Sequence, residues 1–430
     1  MRTWRKALLG NERGVALVLA LMILLTLTGL VLAFLSVSAV EPQISRNQSD
    51  TVRARYVAEA GMEYAYNELV TNATAWNTHL TGATCSQGAI LGAASATLPG
   101  LGSADGTFTV RIRNDCRAGD NKMTGLPVES PADATNDTNS RLIVTSTGVL
   151  GDTTRTITMV VKKVQYRFNG ALSFPGVQAD VNFSGSAFTI DGRDTRMTDA
   201  PGSPTGTAPA QSGIAVSSVT LEAQVESALA GNQQNSVTGQ NGSGNDAIAV
   251  DATVTSGSIT ELVDTLKQYA DIRIDSSPTS PFAISGVGST CATDIDSATC
   301  WGTDAHPKIV YINGSLPDLT IEFTSLSISG TSTGTGILIV ENGNVDISGA
   351  FQWHGPIIVT GNNVGIKYRG GGAETVYGAV VVDERHDDGT ANLEGDIRGN
   401  ASMVYSRQAL DLVETAVSRR LVSTYSWADQ

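Results

Sequence analysis

Four cysteines fall as two local pairs, Cys85 with Cys116 and Cys291 with Cys300. In an oxidising compartment each pair is a candidate disulfide, and the spacings match neither a zinc motif nor a Cys-x-x-Cys redox site. Closing the Cys291–Cys300 loop of about ten residues would be worth on the order of 2–3 kcal/mol in the chain-entropy model. Carboxylates cluster twice, in Asp191-Gly192-Arg193-Asp194 and in Asp383-Glu384-Arg385-His386-Asp387-Asp388. Asp191, Asp194, Asp383 and Asp387 are weak calcium candidates only, because neither run has the EF-hand spacing and a solvated loop accounts for each. The expectation is no metal and no cofactor. The four histidines, His79, His306, His354 and His386, stand apart from any nucleophile motif. Gly370-Gly371-Gly372 precedes no helix and lacks the lysine of a phosphate loop. No catalytic residue is assigned, and the chain reads as a non-enzyme.

The remaining chemistry is a peptide-bond cleavage. Met1–Gly14 carries Arg2, Arg5, Lys6 and Arg13 and closes on Arg13-Gly14; Val15–Val40 then runs for twenty-six residues without a charge. A secretory signal has an apolar stretch of roughly 7–15 residues with its cleavage site after it. Here the run is too long and the glycine precedes it. A cut after Gly14 would make Val15 the new N-terminus and leave the apolar helix on the mature protein, which is the layout of a type IV prepilin. Two other layouts compete. One is a plain N-terminal anchor, because about 20 apolar residues span a bilayer core of roughly 30 Å and the basic flank stays cytoplasmic. The other is a conventional signal peptide cut after Ala39, at Val37-Ser38-Ala39.

The helix pattern does not stop with the apolar run. From Gln43 to about Asn72, Ala54, Val57, Ala58, Gly61, Ala65 and Leu69 recur at steps of three and four, which predicts an amphipathic continuation. Ala54/Ala58 and Gly61/Ala65 are small-xxx-small pairs that allow a close helix approach. Pro42 is predicted to kink or loosen the helix. A plain anchor does not require this second half.

The stretch Arg13-Gly14-Val15-Ala16-Leu17-Val18-Leu19-Ala20-Leu21, with Ala58-Glu59-Ala60-Gly61-Met62, resembles the N-terminal segment of PilX-like minor pilins. The pair Val144–Gly148 and Thr154–Val161 is similar to the hairpin that follows in that family. The resemblance implies cleavage after Gly14 by a prepilin peptidase and methylation of the Val15 amine. It also implies insertion in the inner membrane with a periplasmic C-terminus, an assembly platform there, and incorporation into a pilus beside other pilins. Most major pilins carry a glutamate at the fifth mature position, which here is Leu19. The PilX-like group and the K-type pseudopilin of type II secretion share that lack. Leu19 therefore marks a minor subunit, and a tip position is expected from the resemblance.

The chain has 28 Lys+Arg against 42 Asp+Glu, a net −14. Loss of the leader's four cations and one anion (Glu12) takes this to −17. Such a surface does not bind nucleic acid by neutralising phosphates. Low aromatic content with 45 glycines suits a β-rich surface protein with many turns.

The sequence predicts an α+β chain. A leader (1–14) precedes the pilin helix (15–75, with 15–40 spanning membrane or fibre core). An antiparallel β-rich head (76–165) follows, with strands over Gly106–Arg113 and over Arg141–Lys163 around a turn at Gly151-Asp152. Residues 166–308 read as a mixed region with helices near Val219–Ala230 and Ile259–Asp271. In 309–406, Ile337–Val340, Pro356–Val359 and Ala379–Val382 are apolar strands 19 and 23 residues apart, and glycines at 343, 349, 355 and 361 fall every six. That period predicts a parallel β-helix, with a β-sandwich as the alternative. Residues 407–430 are expected to form a capping helix (Ala409–Leu421) over the open end, followed by a tail. The expected function is pilus assembly, with the ectodomain displayed for adhesion to a surface glycan, a host cell or a substratum. The alternatives are a minor pseudopilin of type II secretion and a membrane-anchored β-helix surface protein or polysaccharide-active enzyme.

Overall fold

A 60-residue helix, Glu12–Thr71, leads the chain in the computed structural model, which describes residues 12–315, 322–369, 372–386 and 393–429. At 1.5 Å per residue the helix is about 90 Å long. Pro42 removes one donor from its ladder, but the helix runs through that position without a break. From Ala54 onward one stripe is buried: Ala54, Val57, Ala58, Met62, Ala65 and Leu69. It lies on a five-stranded antiparallel sheet whose spatial order is Ala89–Thr97, Thr107–Asn114, Arg141–Leu150, Thr153–Lys163 and Val422–Asp429. The small residues serve this sheet. A Cβ on Gly148 would fall 2.4 Å from the Ala54 carbonyl oxygen, and one on Gly61 would fall 2.2 Å from Ser146 Oγ. The turn at Gly151-Asp152 joins Leu150 to Thr153, which face each other across the hairpin.

The fifth strand corrects the expected tail at 407–430. Val422–Asp429 pairs antiparallel with Thr153–Lys163, from Val422 opposite Lys163 to Asp429 opposite Ile157. The head is therefore not confined to 76–165, and residues 164–421 are inserted between two neighbouring strands of its sheet.

The inserted ectodomain is mainly β, with helices on its surface. Between residues 272 and 398 the chain alternates between two sheets. The first receives Ile272–Ser276, Lys308–Gly314, Ser332–Glu341, Phe351–Asn362 and Glu374–His386. The second receives Phe282–Ser285, Thr324–Ser329, Asn344–Ile347, Ile366–Tyr368 and Gly395–Arg398. Every pairing among these strands is parallel. In the second sheet Ile284, Ile328, Ile347, Tyr368, Ile397 and Phe183 stack in one apolar row. Ser327, Asp346, Lys367, Asp396 and Asn182 stack in the adjacent polar row. Alternation along each strand sends one row into the core and turns the other to the opposite face, where Asp346 and Asp396 are covered by their ion pairs with Arg369 and Arg398.

The first sheet extends further than the repeats. Ile272, Val310, Leu338, Ile357, Val380, Leu172, Ile214 and Ile248 form one row across eight strands. Strands from the early part of the ectodomain thus add to the last repeat: Gly170–Phe174 beside Glu374–His386, and Val181–Ser184 beside Gly395–Arg398. The regions expected to be separate, 166–308 and 309–406, share one continuous core. Parallel strands pair by register and not by chain order, so sequence distance hid this seam.

Ile337–Val340, Ile357–Val359 and Val380–Val382 are fully buried on both faces. The helices Ser256–Leu266 and Arg407–Leu421 pack on this sheet, which explains the uninterrupted apolar runs. The helix expected to cap an open end lies along the sheet instead, with Val413 against Gly355. Its apolar face needs an apolar surface to cover, and the sheet face offers more than a coil end.

Candidate functional site

The N-terminal half of the long helix is the first candidate. Val15, Leu17, Val18, Leu19 and the other large apolar side chains through Val40 are about half exposed or more, and this is one helix long and apolar enough to cross a membrane. Residues 15–40 span about 39 Å at 1.5 Å each, more than the ~30 Å bilayer core. Three of its four hydroxyls are satisfied locally. Thr26 Oγ1 donates to the Ile23 carbonyl (2.9 Å), Thr28 Oγ1 to that of Leu24 (2.6 Å) and Ser36 Oγ to that of Ala33 (2.8 Å). Each returns its hydrogen bond to its own helix, so none requires water. Gly14, Val15 and Leu19 lie on this exposed helix, away from the head.

Cys85 is bonded to Cys116 and Cys291 to Cys300. The first disulfide lies in the head. The second closes a loop between the strands Phe282–Ser285 and Lys308–Gly314.

The acidic candidates are held by cations, hydroxyls and backbone donors of the chain itself. Asp191 is fully buried and takes Nε (2.9 Å) and Nη2 (2.7 Å) of Arg193. Asp194 accepts the backbone N–H groups of Ala208 and Arg407, at 2.9 and 3.0 Å. Asp383, also buried, accepts from Thr360 Oγ1 (2.8 Å) and lies 3.7 Å from Arg385 Nε. Asp387 lies outside the described residues. Among the described residues no group of three or more His, Cys, Asp or Glu side chains is arranged to hold a metal. The structure does not bring Asp191, Asp194 and Asp383 together. His354 has both ring nitrogens engaged, Nδ1 with Asp304 Oδ1 (2.8 Å) and Nε2 with Gln352 Nε2 (3.1 Å). In the neutral ring Nδ1–H donates to Asp304 and Nε2 accepts from the amide, which leaves no lone pair free to act as a base.

Sequence reasoning missed a cleft of about 720 Å³ between head and ectodomain. The head contributes Trp76, Asn136, Asp137 and Lys163; the linker contributes residues 165–169; the ectodomain contributes Tyr405, Arg407 and Glu414. Lys163 Nζ binds Glu414 Oε1 across the junction at 2.9 Å, and Arg407 Nη2 binds Asp411 Oδ1 at 2.5 Å. Trp76 Nε1 donates to Asp137, whose carboxyl is pushed up to about 6 by burial. Tyr166 is 9% exposed and its hydroxyl has no hydrogen-bond partner among the described residues. These residues are scattered over more than 330 positions of sequence and follow no spacing rule. They meet only because the ectodomain leaves the head sheet and returns to it.

No family model matches the chain, and no curated protein matches it. Among solved structures, the competence-associated pilin ComZ from Thermus thermophilus is similar over 89% of this chain and 97% of that one, at 10% identity and a TM-score of 0.27. At that TM-score the likeness carries no argument, and the functional reading rests on the chain's own residues.

Proposed function

We propose that this chain is a minor pilin of a type IV pilus. In this reading a prepilin peptidase cuts after Gly14 and methylates Val15. The chain waits in the inner membrane with its C-terminal part in the periplasm, and an assembly platform then moves it into a filament with other pilins. The observation that carries the reading is the two-part helix. Residues 15–40 are uncharged, exposed and free of unsatisfied hydroxyls at Thr26, Thr28 and Ser36, while residues 54–69 are stapled to an antiparallel head sheet. A membrane anchor alone needs only the first part.

We read the ectodomain as a β-solenoid, supported by its alternation between two parallel sheets and its aligned rows. Its role is display for adhesion, without catalysis. Leu19, where a carboxylate would otherwise need a partner in the apolar fibre core, fits a minor and tip-located subunit. A type II pseudopilin would share the helix, but the size of the inserted ectodomain favours the pilus.

Mass spectrometry of sheared filaments tests the reading. The expected result is a methylated N-terminal peptide starting at Val15, recovered with the filaments. A chain starting at Met1 and retained in membranes, or one starting at Val40 and released, would overturn it.

A further inference from the structure

We infer that the open end of the ectodomain pairs with the same end of a second copy of this chain, strand to strand about a two-fold axis. The inference concerns the ectodomain alone and stands whether or not the chain enters a pilus.

Between residues 272 and 398 every strand has a neighbour on both sides except the first two. Ile272–Ser276 ends the first sheet and Phe282–Ser285 ends the second, and no strand among the described residues pairs with the outer edge of either. Their inward side chains, Ile272, Ile274, Phe282 and Ile284, rest on the core but stay only half-buried. One layer further in, Val310, Ile312, Leu326 and Ile328 are completely covered. The opposite end is closed. There the helix Val219–Ala228 packs on Val181–Ser184 and Ile248–Val250, with Leu221 and Val225 buried. A stack of coils needs a cap at each end, and here one is missing.

The edge backbone fixes how a copy can bind. Asp271 N–H donates to the Ile309 carbonyl at 2.9 Å, and the parallel ladder repeats that direction at every second residue, Arg273 and Asp275. The backbone groups of Ile272 and Ile274 therefore point to the open side. An antiparallel copy centred on Ile274 pairs the Ile274 groups with their own counterparts and keeps inward residues inward.

The same register sets Arg273 opposite Asp275 of the second copy, and Asp275 opposite its Arg273. These are the non-hydrogen-bonded positions, where side chains approach most closely. Both side chains are exposed. Arg273 lies over the Tyr311 ring at 5.0 Å and Asp275 accepts from Asn313 Nδ2 at 2.8 Å, which leaves each able to take a second partner. Charge on an edge strand ordinarily repels another chain. Here a parallel copy in register would meet Arg273 with Arg273, whereas the antiparallel copy meets opposite charges twice. On the second edge the same symmetry, centred on Ala283, brings Phe282 against Ile284 of the copy. Head-to-tail stacking is blocked by the covered far end, so the contact closes as a dimer and does not grow into a fibre.

The test is sedimentation velocity of the full-length chain in detergent micelles over a range of protein concentrations, with hydrogen exchange read at both extremes. A dimer is expected to form as concentration rises, and exchange in Ile272–Ser276 and Phe282–Ser285 to slow with it. Arg273→Asp sets carboxylate against carboxylate and should weaken the dimer tenfold or more. Combining Arg273→Asp with Asp275→Arg reverses both signs and should restore it. Both disulfides and the thermal transition report that the variants fold. A chain that is monomeric at every concentration would overturn the inference. So would a dimer that leaves exchange over residues 272–285 unchanged, or one indifferent to Arg273→Asp.

Discussion

Glu384 and Glu394 are both essentially buried in the last repeat and share a hydrogen bond. Asp180 donates its backbone N–H to Glu394, and the Glu384 carbonyl accepts from Val177 at 2.9 Å. The pair therefore lies on the seam where the early strands join the late ones. Burial, then the bond to Glu384 and its charge, push the Glu394 carboxyl up from 4.5 to about 10. The sign follows from linkage: the folded chain keeps a proton that the unfolded chain releases above its ordinary pKa. This contribution to stability is fully present below about 4.5 and is lost as pH rises through about 10. Thermal unfolding of the ectodomain should thus shift to lower temperature between those limits, and Glu394→Gln should flatten the slope. An unchanged slope in the variant, measured by calorimetry across pH 5–9.5, would remove the pair as its source.

At the scale of elements, the long helix packs directly on the strand Arg141–Leu150. A Cβ at Gly148 would meet Ala54 O at 2.4 Å and Ala58 N at 2.5 Å, both backbone atoms that cannot swing aside. Gly148→Val should therefore destabilise the head by about 1–3 kcal/mol. Faster hydrogen exchange across Thr107–Asn114, with the ectodomain strands unaffected, is the expected readout; uniform protection would show that the helix can lift off without cost. Such packing was partly legible. The three- and four-residue steps of Ala54 to Leu69 located the buried stripe, but small residues alone do not say whether a helix or a sheet approaches. The continuous runs at Ile337–Val340 and Val380–Val382 carried a further message, burial on both faces, and hence the covering helices. Arg407–Leu421 was legible as a helix from its period, but its docking surface was not, because period fixes a face and not a partner. The cleft was not legible at all: Trp76, Asp137, Arg167 and Arg407 share no local pattern.

For the molecule as a whole, the ectodomain leaves the head at Lys163 and returns at Val422, and these two residues are opposite one another in the sheet. Replacing residues 164–421 with Asn-Gly, which suits a two-residue hairpin turn, should leave a five-stranded head that still forms Cys85–Cys116. Truncation after residue 169 should behave differently. It strips Val422–Asp429, exposes the edge of Thr153–Lys163, and uncovers Met159 and Val161. Soluble, disulfide-bonded product from the excision and aggregated product from the truncation are expected; the reverse would refute the insertion as the organising feature. The excised form is also the proper variant for separating assembly from adhesion, since it keeps the whole head.

The double crossing also determines how force travels. A domain hung from a single linker swivels, and tension peels its attachment one bond at a time. Here the two crossings run side by side, and Val164 N–H binds the Leu421 carbonyl at 2.8 Å just beyond the last sheet pair. A pull on the ectodomain runs along two antiparallel strands at once, so the ladder between them is loaded in shear and its bonds share the strain. Torque is resisted by the spacing of the two strands. The junction is a strap, through which a load on the outer end of the molecule reaches the long helix without first unfastening the head.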